Sequence, residues 1–200
     1  MPDNPHISGV ILAGGQGRRL GNVDKARLRL GGQKLLEHAA ARLGPQTEAA
    51  VVAGGETTLP GLALLKDDGG GPLSGLLAAY THAGTSAVPP EWLVTAPVDS
   101  PFFPTDFVTR ALGKAGDATD AVVGSSGDTL YPVCALWRRS ALDRLPDHLA
   151  HNPDRSVRGF LDILRWLPLD YADRDDNPFF NINRVGDLIR ARKHLARNRD

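Results

Sequence analysis

The chain has 200 residues, 42% hydrophobic and 23% charged, which is enough for one sizeable core and short for two, so a single domain over 1–200 is expected. Lys plus Arg and Asp plus Glu each total 23, so no global field draws the protein to nucleic acid or to an anionic membrane, and any polyanion site must be local. No apolar run approaches the ~18 residues of a membrane span, and the start lacks the basic and apolar regions of a secretory leader; a cytoplasmic protein is expected.

In chain order, residues 7–13 form a short apolar run rich in β-branched side chains and ended by Gly14-Gly15, the pattern of a buried parallel strand. Residues 33–43 have helical spacing, with Leu35, Leu36, Ala39, Ala40 and Leu43 on one face. Residues 48–53 and 62–65 read as strands, and 73–82 as a helix entered through Gly69-Gly70-Gly71-Pro72. A strand at 92–96 and a helix at 106–114 follow, then extended segments at 118–123 and 131–137 and helices at 139–149, 157–164 and 185–196. Strands alternating with helices at this spacing predict an α/β fold, a three-layer α/β/α sandwich on a mostly parallel, Rossmann-like sheet. The lone Cys134, inside the apolar stretch 133–137, is expected to be buried in a strand and has no partner for an intramolecular disulfide.

The segment from Leu12 to Lys25 carries the chemistry most clearly. Glycines directly after a buried strand let the backbone approach an anion and present N–H groups to it, and Arg18, Arg19 and Lys25 can neutralise a triphosphate. The loop is neither a P-loop, since G-x-x-x-x-G-K-[ST] is absent, nor a dinucleotide fingerprint, since Leu20 stands where G-x-G-x-x-G needs its third glycine. Asp99 follows the strand at 92–96, at the carboxyl end where open α/β sheets bind ligands, and suits a hard cation such as Mg²⁺, which commonly takes one or two carboxylates plus phosphates and waters. Asn181 and Asn183, two apart, share a side on an extended segment; Asn183 serves equally as a substrate contact or as the N-cap of the helix near 185. His148 and His151 lack acidic or Cys partners at ligand spacing and read as solvated histidines, and the basic run 190–194 reads as a solvated helix face.

Leu12-Ala13-Gly14-Gly15-x-x-x-Arg19-x-Gly21-x-x-Asp24-Lys25 resembles the signature of the nucleotidyltransferase superfamily, and its Gly-Gly form with Val23-Asp24-Lys25 is similar to the molybdenum cofactor guanylyltransferases, the molybdopterin-guanine dinucleotide biosynthesis protein A family. Related cytidylyltransferases of the same pathway usually show Ala-Gly at this place. The resemblance extends through Gly71-Pro72-Leu73-Ser74-Gly75, the block at 96–101, Tyr131-Pro132-Val133 and Asn181-Ile182-Asn183. It implies a nucleotide-diphospho-sugar transferase-like fold and transfer of GMP from GTP to molybdopterin, with release of pyrophosphate. It further implies that Leu12, Ala13, Gly14 and Gly15 hold the nucleotide, with Asp67 chosen over its neighbour Asp68 for the same site. Arg19, Lys25 and Asp99 would be catalytic, Asp99 would bind Mg²⁺, and Asn181 and Asn183 would bind the acceptor. Molybdopterin-delivering and molybdoenzyme-acceptor proteins are implied as partners. Family members often carry an Asn near position 53, where this chain has Ala53 followed by Gly54-Gly55, so the base contact departs from the pattern. The alternatives are transfer of CMP to molybdopterin, nucleotidyl transfer to another small acceptor such as a sugar phosphate, and a non-catalytic nucleotide-binding module.

Overall fold

The computed structural model describes residues 5–14, 24–173 and 176–197. Nine strands occur among them: β1 (Ile7–Leu12), β2 (Arg29–Leu30), β3 (Gln33–Lys34), β4 (Ala49–Ala53), β5 (Ala63–Leu65), β6 (Trp92–Pro97), β7 (Ala121–Ser126), β8 (Thr129–Arg138) and β9 (Trp166–Asp170). The helices are α1 (Leu35–Leu43), α2 (Pro72–Ala83), α3 (Phe107–Lys114), α4 (Leu145–His151), α5 (Val157–Leu161) and α6 (Val185–Arg197). Seven strands form one sheet in the order β5-β4-β1-β6-β8-β7-β9, and β2 and β3 form a separate hairpin. Every pairing in the large sheet is parallel except the two made by β8, so the sheet is mostly parallel with one reversed strand.

Successive side chains of the central strands point to opposite faces, and both faces are buried. Ile11, Val94, Val122 and Leu136 join Leu36, Leu43, Phe103 and Phe107 in one cluster beneath α1 and α3. Val10, Leu93, Val123 and Trp137 join Leu73, Leu76, Leu145 and Phe160 in a second beneath α2, α4 and α5. Each fully buried Leu or Phe here stabilises the fold by ~1.5–3 kcal/mol, so these two clusters fix the three layers. Cys134 lies in β8 at 1% exposure, and burial, followed by the nearby Asp99 charge, pushes its thiol up.

Several expected boundaries move, each for a local reason. The helix expected from residue 33 starts at Leu35, because the Lys34 backbone N–H donates to the Glu37 carboxylate at 2.6 Å while residues 33–34 pair with 29–30. That hairpin turns on Gly31 and Gly32, both at positive φ, as a two-residue turn requires. The single helix expected over 139–149 is a 3-10 segment, Arg139–Arg144, followed by α4 with Pro146 in its first turn; proline cannot donate to the preceding turn and begins a new helix instead. Residues 157–164 shorten to α5, capped by Ser156, whose Oγ accepts from Gly159 N at 3.0 Å. β9 escapes the pattern because it is an edge strand that contains Pro168 and buries only Leu169. His148 is not solvated, a correction to the sequence reading: it is 5% exposed and packs on the Phe160 ring at 5.2 Å, whereas His151 is exposed.

Candidate active site

The sequence of connections places a switch point between β1 and β6, since the chain runs from β1 outward through β4 and β5 on one side and returns to β6 on the other. Open α/β sheets bind ligands at such a point, outside the carboxyl ends of the strands. β1 ends at Leu12, whose carbonyl accepts from Val98 N at 3.0 Å, and Ala13 N donates to Ala53 O at 2.9 Å, so the chain leaves the sheet between the ends of β4 and β6. Gly14 opens the loop beyond; Gly15, Arg18 and Arg19 lie outside the described residues.

Two connections converge on Gly14. The loop after β4 passes so close that a Cβ on Gly54, itself at φ +75°, would sit 2.7 Å from Gly14 Cα. Asp67, after β5, brings Oδ2 to 3.2 Å from where a Gly14 Cβ would be and 3.4 Å from that of Gly75 on α2. Its Oδ1 accepts from Gly69 N at 3.0 Å, which closes the turn that orients it. Asp68 faces away: its Oδ1 accepts from Gly70 N at 2.9 Å and its Oδ2 meets Arg155 Nη2 at 3.5 Å. The nearby Ser74 hydroxyl, then the Gly70 N–H and Arg155, hold the Asp68 carboxyl below its usual range. Asp67 is thus the carboxylate beside the glycine surface. Ala53, at the position where an Asn was expected, is fully buried in β4 and offers no polar group.

On the other side of the switch point, Asp99 stands on the turn after β6. Its backbone O accepts from Ile182 N at 2.9 Å, which draws the segment 181–183 alongside. Ile182 turns into a third apolar cluster with Leu30, Leu35, Phe102 and Ala191, so Asn181 and Asn183 face the opposite way. The Ser100 hydroxyl bonds to Asn181 Oδ1. Lys25 Nζ donates to Asp99 Oδ2 at 2.6 Å and to Asn183 Oδ1 at 2.6 Å. Lys25 and Asp99 side chains are each 15% exposed, so the pair is shielded yet reachable. Because an ammonium only donates, Asn183 must turn its oxygen to Lys25 and its NH₂ away, which fixes the amide orientation by chemistry.

The N-cap alternative for Asn183 is not what forms. Arg184 precedes α6, and Asp187 in the first helical turn accepts from Asn183 N at 3.0 Å and Arg184 N at 2.9 Å. Burial opposes ionisation of Asp187, but these backbone bonds and Arg190 outweigh it and hold the carboxyl low. Asp187, Ser100, Asp24 and Thr57 all touch the site's framework and were given no role from sequence, although Asp24 and Ser100 lie inside the motifs that carry the resemblance; Asp187 carried a signal of its own, an acid in the first turn of a helix. Among the described residues no group of three His, Cys, Asp or Glu is arranged around a metal position. The donors beside Lys25 are a carboxylate and a carboxamide oxygen, hard groups of the kind Mg²⁺ accepts alongside phosphate oxygens and waters.

Comparison with known proteins identifies the family and the fold. The model of the MobA-like NTP transferase domain matches residues 9–167. A molybdenum cofactor guanylyltransferase from Cereibacter sphaeroides is 42% identical over 197 residues, covering 96% of this chain and 98% of the relative. One of the same name from Nitrobacter hamburgensis is 33% identical over 200 residues, covering 96% of each chain. The crystal structure of molybdopterin-guanine dinucleotide biosynthesis protein A from Archaeoglobus fulgidus superposes with a TM-score of 0.75 at 24% identity, covering 95% of this chain and 99% of that one, and supports the fold. The chain is a nucleotidyltransferase and belongs to the MobA-like NTP transferase domain family.

Proposed function

We propose that this chain transfers GMP from GTP to the terminal phosphate of molybdopterin in the cytoplasm, with Mg²⁺, giving molybdopterin guanine dinucleotide and pyrophosphate. The observation that carries the reading is the meeting of Lys25, Asp99 and Asn183 within hydrogen-bond distance at the switch point, beside the glycine surface of Gly14 and Gly54. The choice of guanine and of acceptor follows the printed name of relatives that match over nearly the full chain. No helix among the described residues is long and apolar enough to cross a membrane.

A phosphate nucleophile is already anionic near neutral pH, so the reaction needs positioning and charge neutralisation more than a general base. An acceptor phosphate oxygen bonds to the α-phosphorus of GTP as the bond from that phosphorus to the oxygen bridging to the β-phosphate breaks, and the electron pair leaves with pyrophosphate. Backbone groups of Leu12, Ala13 and Gly14, with Gly15 beyond the described residues, hold the nucleotide. Lys25 exchanges Asp99 for phosphate oxygens and offsets their charge; Arg19 is given the same task by family resemblance. Asp99, joined by the Asn183 carboxamide oxygen, is the residue that would hold Mg²⁺, which when bound supplies further neutralisation of the triphosphate. Asn181 and the outward NH₂ of Asn183 donate to the anionic acceptor.

Asp67 provides the base choice that Ala53 lacks the group to make. Guanine carries two adjacent N–H donors on its pairing edge, which a carboxylate accepts together, whereas cytosine offers one donor beside an acceptor. The test is pyrophosphate release by purified protein with Mg²⁺ and molybdopterin, supplying GTP, CTP, ATP and UTP separately. Turnover with GTP alone, lost on chelation and lowered about 10²-fold or more in Asp99→Ala and Lys25→Ala, is the expected result. Turnover with CTP instead would overturn the base assignment, and absence of acceptor-dependent release with every nucleotide would overturn the acceptor.

A further inference from the structure

Lys25 stands at the start of a three-residue 3-10 turn, Lys25–Arg27, which is too short to hold its own shape. Both ends of that turn are gripped by one hydroxyl from elsewhere in the chain. Asp24, the N-cap, takes Ala26 N on Oδ1 at 2.9 Å and the Thr57 hydroxyl on Oδ2 at 2.5 Å. Arg27, at the far end, donates Nε to the same Thr57 oxygen at 2.9 Å and lies 3.6 Å from Asp24 Oδ2. Thr57 is 8% exposed and sits on the loop that leaves β4 through Gly54, on the base side of the site. Its single hydroxyl therefore ties the nucleotide-side loop to the turn that aims Lys25 at Asp99 and Asn183.

We propose that Asp24 and Thr57 are positioning residues for nucleotidyl transfer, acting through Lys25: they hold its ammonium at the reacting phosphates and make the loop after β4 and the lysine turn one unit. The effect on turnover rests on the function proposed above; the effect on Lys25 does not. The plain alternative is that the Thr57 bonds only stabilise the loop.

The two readings separate by experiment. Thr57→Val keeps the side chain's shape and removes both hydrogen bonds, so the constraint on Lys25 weakens by roughly tenfold. In the unliganded protein, labelling with an amine-reactive reagent followed by peptide mass spectrometry is expected to show Lys25 modified about tenfold faster in Thr57→Val and at the original rate in Thr57→Ser, with Lys34, Lys66 and Lys114 unchanged as internal references. Asp24→Ala removes the same anchor from a more exposed position and gives the same acceleration, which keeps the test alive if Thr57→Val does not fold. With GTP and acceptor, Thr57→Val lowers kcat by about tenfold with KM held within about twofold, and adds nothing further in a Lys25→Ala background, because both changes act through one group. Unchanged Lys25 labelling in folded Thr57→Val and Asp24→Ala, or losses of activity that simply multiply with Lys25→Ala, would overturn the proposal. If wild-type protein releases no acceptor-dependent pyrophosphate, the function assignment fails while the labelling result still decides this one.

Discussion

Two carboxylates at opposite ends of the same sheet, Asp99 after β6 and Asp120 before β7, are both shielded beside cations but are held in different ways. Asp120, 6% exposed in its side chain, accepts the Arg165 backbone N–H at 3.0 Å and lies within 3.5 Å of the Arg165 and Arg144 guanidinium groups. Burial alone would raise it; the Arg165 hydrogen bonds and the Arg144 charge outweigh that and hold its carboxyl below the usual range. Asp99 meets one flexible ammonium, which it shares with a neutral amide. A backbone N–H has no other partner to go to, whereas an ammonium can be handed to a phosphate. The first arrangement locks β9 to the sheet, and the second is built to exchange.

The largest expected effect breaks the exchangeable pair. Asp99→Asn or Lys25→Met should lower kcat/KM by about 10²-fold or more, the scale of losing one aimed charge-stabilising group, while the melting temperature shifts by only a few degrees. A large fall in melting temperature with activity per folded molecule intact would make the pair structural.

The locked carboxylate should respond in the opposite sense. Asp120→Ala strands the Arg165 N–H and should cost ~1–3 kcal/mol, or about 2–12 °C in melting temperature for a chain of this size, with kcat per folded molecule unchanged. Because the folded carboxyl is held low, its contribution is present at pH values above the unfolded value of ~3.9 and is lost as pH falls through the folded one. Melting curves of wild type and Asp120→Asn should therefore differ at neutral pH and converge on acidification. Divergence at low pH instead would reverse the assigned sign.

How much of this contrast was legible in the sequence depends on whether a residue's partners are local. β1 and β6 announced themselves as apolar runs, and Lys25 and Asp99 followed them at fixed positions, so both were readable before any fold was known. Asp67 over Asp68 was readable only by resemblance; the geometry distinguishes them because Asp68 turns to Arg155. Thr57 and Asp120 gave no signal, and Ser100, though inside the block at 96–101, showed no role, since each acts through partners between 30 and 81 residues away in sequence. β9 was invisible because an edge strand with a proline has neither alternation nor a continuous apolar run.

A smaller effect sharpens the base side of the exchangeable region. Asp67→Asn keeps the shape but replaces one acceptor oxygen with a donor, so it should weaken GTP by about tenfold and leave CTP within about twofold, as measured by competition against pyrophosphate release. Equal loss for both nucleotides would move Asp67 from base choice to general support of the loop.

The smallest expected effect joins the two kinds of site. Cys134 lies in β8 at 1% exposure, where desolvation first and the Asp99 charge second keep its thiol protonated. A protonated, buried thiol is neither nucleophile nor metal ligand, so iodoacetamide should modify it only when the protein opens, at a rate that follows global unfolding and not the occupancy of the nucleotide site. Asp120→Ala, by lowering stability, should speed that modification, whereas Lys25→Met should leave it within about twofold, because an emptied exchange partner changes chemistry at the switch point without loosening the core. Faster modification in Lys25→Met would mean that the ammonium, and not the packing of the two apolar clusters, is what closes the sheet over Cys134.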